Sequence, residues 1–415
     1  MKKVAFYTLG CRVNQYETNA FAEEFMRRGW QVCSFEDECD LYVINTCAVT
    51  GESERKSGQI IRRAARRGKV AVVGCYSQLH PEKVKNIEGV IRVGGNVNKL
   101  SAVLGEEKPN LSFEGCEYEN ISVSGKTNLF SSCRAYVKIQ DGCPNSCTYC
   151  IIPTARGPAR SRGLADIIKE CKTLVQAGYT EIVLTGIEVS AYNGAKLSDV
   201  INQVSSIEGL RRLRLGSLTP TCIDRELLEA MKNSEIFCNH LHLSIQSGCS
   251  RILGLMKRKY NKQQLQEKME LIREILPQAM ISADIITGFP TETDEEAEET
   301  LEFCVKNELF HVHSFPYSPR PGTVAAGMKG QVDKCVRNRR NDMLISATDK
   351  VRHRLLLQRV GKRVEILTEK TDGVCCTGHT EDFIECTFNG RCAVGEYVEV
   401  NITSVENGIL IGEKV

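Results

Sequence analysis

Short apolar runs alternate with amphipathic stretches over residues 1–105. Residues 3–9, 30–35, 41–46, 70–74 and 90–93 carry the density of Val, Ile, Leu and aromatic side chains that a covered strand needs. Between them, residues 14–28, 54–67, 81–87 and 99–104 repeat apolar positions at helical spacing, the first stopping at Gly29. Strand and helix in turn, joined by short links, predict an α/β domain on an open, mainly parallel sheet. Residues 106–130 lose this rhythm, mixing Pro109, Gly115, Gly125 and polar groups, and read as a linker.

Alternation resumes at 135–140 and recurs at 181–186, 211–218, 240–247, 280–288 and 310–317, with helical stretches at 164–177, 197–205, 225–233 and 262–274. Six such βα units over 131–355 predict a partial parallel barrel, its site at the strands' carboxyl ends. Residues 331–358 form a basic helix that includes Arg337, Arg339 and Arg340. After Gly361 the texture changes to short strands at 363–369, 373–379, 383–388, 397–404 and 408–412, split by Gly and Asn. That pattern predicts a small antiparallel barrel over 356–415.

Composition narrows the class. At 415 residues the chain has room for two or three domains with real cores. No apolar run approaches the roughly 20 residues of a membrane span. Met1-Lys2-Lys3 and the apolar run after it superficially resemble a lipoprotein leader, but the run is too short and reads as a strand. The 20 cysteines are scattered through a large chain, unlike a secreted disulfide scaffold, and point to a reducing cytoplasm. A net charge of +2 names no partner, so local patches must. In residues 54–69, Arg55, Lys56, Arg62, Arg63, Arg66, Arg67 and Lys69 fall on one helical side and Ile60, Ile61, Ala64 and Ala65 on the other. A solvated face is the ordinary explanation; a phosphate-binding surface, with Arg62 and Arg66 at its centre, is the sharper one.

Two sets of cysteines carry the chemistry. Gly142-Cys143-Pro144-Asn145-Ser146-Cys147-Thr148-Tyr149-Cys150 spaces three thiols as C-x3-C-x2-C. Soft sulfur ligands so close suit an iron–sulfur cube, with one iron left open to a small chelating molecule. Zinc would want a fourth ligand, and no His or Cys follows closely on Cys150. Cys11, Cys47 and Cys75 each follow a predicted strand and precede a helix. Ligands bind open α/β sheets at that edge, so these three thiols suit another cluster; buried core cysteines are the bland alternative. The other fourteen, among them Cys33, Cys39, Cys116 and Cys133, read as structural.

The segment Cys143–Cys150 resembles the signature of radical S-adenosylmethionine (SAM) enzymes. Gly10-Cys11-Arg12-Val13-Asn14-Gln15-Tyr16-Glu17, Asn45-Thr46-Cys47-Ala48-Val49-Thr50 and Val73-Gly74-Cys75-Tyr76-Ser77-Gln78 are similar to the amino-terminal motifs of the methylthiotransferases, a radical SAM family. Matching segments cover nearly the whole chain, and the carboxyl-terminal pattern resembles the RNA-binding TRAM barrel. The resemblance implies two [4Fe-4S] clusters, one on each triad, and two SAM molecules per turnover. It implies a 5′-deoxyadenosyl radical that removes hydrogen from carbon 2 of an adenine, sulfur taken from the second cluster, and a methyl group from the second SAM. SAM is expected against Tyr149, Gly186, Glu188, Gln246, Gly288 and Phe289. His240 and His242, on the same strand face as Gln246, read as internal hydrogen bonders rather than catalysts.

Arg156, Arg160 and Arg162 follow the cluster loop and are expected to grip phosphates or a substrate carboxylate through guanidinium forks. Arg320, in the matching segment Tyr317-Ser318-Pro319-Arg320-Pro321-Gly322-Thr323, joins them. Thr154, Pro158 and Thr291 depart from the usual pattern and bear on substrate contacts. Within the family, the residues around Cys11 and Cys47 most resemble the branch acting on N6-threonylcarbamoyladenosine at position 37 of transfer RNA. The isopentenyladenosine branch, the ribosomal-protein aspartate branch and a non-catalytic RNA-binding iron–sulfur electron carrier are the alternatives. Expected partners are a tRNA anticodon stem-loop and a low-potential donor of flavodoxin or ferredoxin type, with the protein a cytoplasmic monomer.

Overall fold

The computed structural model describes residues 1–106, 110–127, 129–130 and 133–415. Pro109 of the expected linker and the expected barrel start at residue 131 lie outside the described residues. The amino-terminal elements are β1 (Lys3–Thr8), α1 (Arg12–Arg27), β2 (Gln31–Cys33), β3 (Leu41–Thr46), α2 (Gly51–Ala65), β4 (Val70–Gly74), α3 (Cys75–Leu79), α4 (Pro81–Lys85), β5 (Val90–Val93) and α5 (Lys99–Leu104). The strands form one parallel sheet in the order β2-β1-β3-β4-β5. Every residue of β3 and β4 is buried, which is why both read as continuous apolar runs. The short α3 was not among the expected elements: five residues starting at a cysteine give too little periodicity to read.

The central part contains β6 (Arg134–Lys138), β7 (Gln140–Asp141), α6 (Ile152–Arg156), β8 (Arg160–Ser161), α7 (Leu164–Gln176), β9 (Glu181–Thr185), α8 (Leu197–Ser205), β10 (Arg212–Leu215), α9 (Arg225–Asn233), β11 (His240–Gln246), α10 (Ser250–Leu255), α11 (Lys262–Ile275), β12 (Met280–Thr287), α12 (Asp294–Lys306), β13 (His311–Pro316) and α13 (Lys334–Leu357). Parallel ladders run β6-β9-β10 and β11-β12-β13. Bridges Leu213–Phe237 and Leu218–Leu243 join the two halves, so six strands follow one another in chain order. Helix α12 was also unexpected, although Thr293 and Glu296 cap it reciprocally.

One hydrophobic core holds the two parts together. Tyr16, Phe21 and Phe25 of α1 share it with Ala135 and Val137 of β6 and with the barrel's inner helices. The tail strands β14 (Arg363–Thr371), β15 (Cys375–His379), β16 (Glu385–Asn389), β17 (Tyr397–Glu406) and β18 (Ile409–Lys414) close into a barrel in the order β14-β15-β16-β18-β17. Its core continues through Val351, Leu355 and Leu356 of α13 onto Met280 and Phe310. Arg134 and Arg212, at the amino ends of barrel strands, ion-pair with Glu369 and Glu365 of the tail. Arg214 donates to the carbonyls of Thr380 and Glu381. The tail barrel is thereby fixed across the barrel's amino-terminal end.

Candidate active site

The first triad is built at the carboxyl edge of the open sheet. Cys11 caps α1 after β1, Cys47 follows β3, and Cys75 opens α3 directly after β4. Backbone geometry draws them together. Gly10 has φ +98°, and a Cβ there would stand 2.8 Å from Cys47 Sγ. Gly74 has φ +104°, and its Cβ would stand 2.5 Å from the Thr46 carbonyl. Asn14 Nδ2 ties the loops by donating to Leu9 O at 2.7 Å and Thr46 O at 3.1 Å. Asn96 Nδ2 donates to Cys75 Sγ at 3.5 Å. Burial pushes the thiols of Cys11 and Cys47 above the usual range, and each feels the charge of Cys75.

Beneath this triad lies a buried ionic network. Glu17 of α1 meets Lys99 of α5 at 2.5 Å, Lys138 of β6 at 3.0 Å and Arg156 of α6 at 3.1 Å. Asp141 meets Lys138 at 3.0 Å, Arg156 at 3.2 Å and Arg160 at 3.7 Å. Burial alone would raise Glu17, but Lys99, Lys138 and Arg156 outweigh it and hold the carboxyl below its usual range. Two carboxylates face four cations here, and both Cys75 and Cys11 stabilise the charge on Arg156. An excess of buried positive charge beside three thiols fits an anionic thiolate-bound group.

The second triad lies in the loop between β7 and α6. Its frame is backbone hydrogen bonding: Cys143 N donates to Gly157 O at 3.0 Å, and Thr148 N to Met256 O at 3.1 Å. Gly142, at φ +73°, presses on the Pro158 carbonyl, so a Cβ would not fit. Two donors point at sulfur: Arg258 Nη1 at 3.3 Å from Cys147 Sγ, and Ile152 N at 3.5 Å from Cys150 Sγ. Burial pushes the Cys150 thiol up to about 12 in the absence of a bound group. Arg258 was missed by sequence reasoning, because it sits on a different loop and belongs to no spacing pattern. Among the described residues no three His, Cys, Asp or Glu converge closely enough for a single metal ion. The fit to clusters therefore rests on the two triads and the donors around them.

The residues expected at SAM divide into three groups. Glu188 accepts from Thr219 Oγ1 at 3.0 Å and Asn145 Nδ2 at 3.1 Å, in a cleft of about 170 Å³ that also takes in Cys147 and Arg258. Gly186 touches the Gln140 side chain, which accepts from Glu188 N and donates to Gly142 O. Gln246 ends β11 at φ +75° beside a register shift, and Gly288 is covered by the Arg337 side chain. Tyr149 packs on the apolar cluster containing Phe289 and Tyr317. Phe289 itself has no exposed surface, its ring 5.5 Å from Tyr317, so it supports the site from behind rather than facing a ligand.

Four arginines expected at the substrate are spent inside the protein. Arg156 is completely buried on Asn14, Glu17 and Asp141; Arg160 is buried beside Asp141 and over Phe113. Arg162 is buried against Glu170, and Arg320 against Glu54. Each neutralises a carboxylate of the protein's own, so none presents a free fork to phosphate. Arg55 and Arg63 on α2, and Arg67 just after it, likewise pair with Glu52 or Glu36. Arg62 and Arg66 stay exposed, with no ion pair among the described residues. Arg339 and Arg340 of α13 are paired with Asp294.

A cavity of about 610 Å³ opens between the three parts of the molecule. Cys11 and Arg12 enter it from the amino-terminal sheet, Gly186 and Ser217 from strand ends, Arg352 from α13, and Phe383 from the tail barrel. Five of the chain's seven histidines line it: His240, His242, His311, His313 and His379. His240 Nε2 and His242 Nδ1 each lie 2.8 Å from Ser282 Oγ, and His242 Nε2 lies 3.1 Å from Asp284. The two expected internal hydrogen bonders thus face a cavity of the size that holds a small molecule.

A six-stranded parallel half-barrel presenting a C-x3-C-x2-C loop defines a radical SAM protein. The Radical SAM superfamily model matches residues 137–304, and "Uncharacterized protein family UPF0004" matches residues 3–94. The threonylcarbamoyladenosine tRNA methylthiotransferase of Bacillus subtilis is 38% identical over 97% of this chain and 94% of its own length. The tRNA-2-methylthio-N(6)-dimethylallyladenosine synthase of that organism is 32% identical over 100% of this chain and 86% of its own. In fold, the chain is similar to the radical SAM methyltransferase TsrM of Kitasatospora setae, with TM-score 0.60 and 15% identity over 78% of this chain and 77% of that one. The chain belongs to the radical SAM methylthiotransferase family. It is a radical SAM enzyme.

Proposed function

We propose that this enzyme inserts a methylthio group at C2 of N6-threonylcarbamoyladenosine beside the tRNA anticodon. The observation that carries the reading is the set of polar groups in the cavity wall: among Leu215, Phe310, Phe315 and Phe383 stand Arg12, Arg352, five histidines, Ser217 and Ser282, which suit a polar, hydroxylated, anionic N6 group. An isopentenyl chain would bury apolar surface against the same polar groups without satisfying them.

In this reading Cys143, Cys147 and Cys150 hold the SAM-binding cluster, and Cys11, Cys47 and Cys75 hold a second. When bound, clusters and SAM supply the radical chemistry and the sulfur. The chain's residues position and exclude. Arg258 and Ile152 N direct hydrogen bonds at the second-triad sulfurs, while Glu188, fixed by Asn145 and Thr219, borders the cleft beside Cys147. Glu17, Asp141 and their four cations lock the amino-terminal sheet to the barrel, fixing how far Cys11 stands from the strand ends. Arg62 and Arg66 offer exposed charge to the RNA backbone, and the tail barrel covers the barrel's amino-terminal end.

The division into residues 1–105, 131–355 and 356–415, with a connecting segment between the first two, is part of the same reading. So are a cytoplasmic location, a monomer and a flavodoxin- or ferredoxin-type donor. The scatter of 20 cysteines through a large chain supports a reducing compartment. The test is mass spectrometry of tRNA nucleosides from cells lacking the gene. Selective loss of 2-methylthio-N6-threonylcarbamoyladenosine is expected; an unchanged nucleoside profile overturns the reading.

A further inference from the structure

Three arginines reach the large cavity, and they differ in what they have left to give. Arg214 is used up: Nε meets Glu181 at 2.9 Å, and its other nitrogens serve two tail carbonyls. Arg12 is exposed, with its guanidinium over the rings of Tyr136 and Phe383. Arg352 is half-buried on α13, against Phe310. Its one polar contact is from Nη1 to His311 Nδ1 at 3.4 Å, and its Nε is buried with no partner.

No carboxylate among the described residues comes within ion-pair distance of Arg352. Asp349 and Glu385 act on it only through their field. Burial outweighs that field and makes the guanidinium a weaker base than usual. Its neighbour His311 supplies no negative charge: burial, with His313 and Arg352 close by, brings its pKa to about 4, so the ring is neutral at pH 7. A partly buried cation with an open fork and no counter-ion is costly unless an anion arrives.

We propose that Arg352 is the specificity-determining residue that receives the carboxylate on the substrate's N6 substituent. This rests on the function proposed above, and it adds which residue reads the acid. The guanidinium end of Arg352, its two Nη nitrogens, faces the two carboxylate oxygens. His311 and His313, neutral and edge-to-face at 4.3 Å, stand beside it to share the amide and hydroxyl groups of the same substituent.

The test uses the full-length protein, reconstituted anaerobically, and three anticodon stem-loops. One carries N6-threonylcarbamoyladenosine, the second its carboxamide, and the third isopentenyladenosine. Wild-type protein is expected to prefer the acid over the amide by about 10- to 100-fold in kcat/KM, the value of one charge-assisted hydrogen-bonded contact. Arg352→Gln is expected to lose that preference, mostly through KM, while keeping its iron content. Arg352→Lys, which keeps charge without the fork, should recover part of it. Retention of the preference in Arg352→Gln, or equal losses on acid and amide, overturns the assignment while leaving the proposed function intact. A wild-type protein active only on isopentenyladenosine overturns both.

Discussion

Replacing Glu17 by Gln tests whether the ionic network beneath the first triad holds the amino-terminal sheet in place. Three cations lie within 3.1 Å of its oxygens, and the side chain is fully buried. At an effective dielectric of about 20, each such pair attracts by roughly 5 kcal/mol. Desolvation takes back most of this, but removing one partner strands the others, a loss of about 3–5 kcal/mol. The single tryptophan, Trp30, packs at 5.3 Å on Phe25, so its fluorescence follows the amino-terminal part. With a urea slope of about 1–3 kcal/mol/M, the midpoint should fall by roughly 1 M or more. Changing Lys99 to Met in the same chain should restore part of the loss, because one stranded cation is removed.

The pH dependence has a definite sign. Glu17 is held below its unfolded value, so over the window between the two the unfolded chain binds more protons, and stability rises with pH. The gap between wild type and Glu17→Gln should be full at pH 7 and narrow as pH falls below about 4. A midpoint shift worth less than about 0.5 kcal/mol at pH 7 would refute the reasoning.

Gly74→Ala forces a Cβ against the Thr46 carbonyl at positive φ and should cost about 1–3 kcal/mol, with iron lost from the first triad but not the second; iron assay of single- and triple-cysteine backgrounds checks this. His311, neutral in the fold with a pKa of about 4, leaves the unfolded chain binding more protons between that value and about 6.5. Stability should therefore drop as pH falls from about 6.5 to 4, and His311→Gln should flatten that slope in urea titrations. Reversing Arg62 and Arg66 to Glu should weaken stem-loop binding and lower its salt dependence by roughly one unit per lost phosphate contact, with folding unchanged.

Residues close in sequence were legible, and meetings of distant ones were not. β3 and β4 could be read because their runs are apolar throughout, and the two triads because each obeys a local rule, a spacing or a strand end. Arg156 misled because, following the cluster loop and close to Arg160 and Arg162, it resembles a phosphate grip. Its true partners come from α1 and β7, and Glu17 lies far up the chain. Phe289 was expected against SAM, but its ring is buried and packs on Tyr317. The cavity was least readable, since it gathers Arg12, His242, Arg352 and Phe383 from stretches far apart in the sequence. No periodicity in any one segment announces such a meeting.

Iron content after anaerobic reconstitution tests the central claim most directly, that the chain holds two clusters, one on each thiolate triad. The account predicts about eight irons per chain, falling to about four when Cys11, Cys47 and Cys75 become Ala, and to about four when Cys143, Cys147 and Cys150 do. About four irons in the wild-type protein, or either triple variant keeping all its iron, would contradict it.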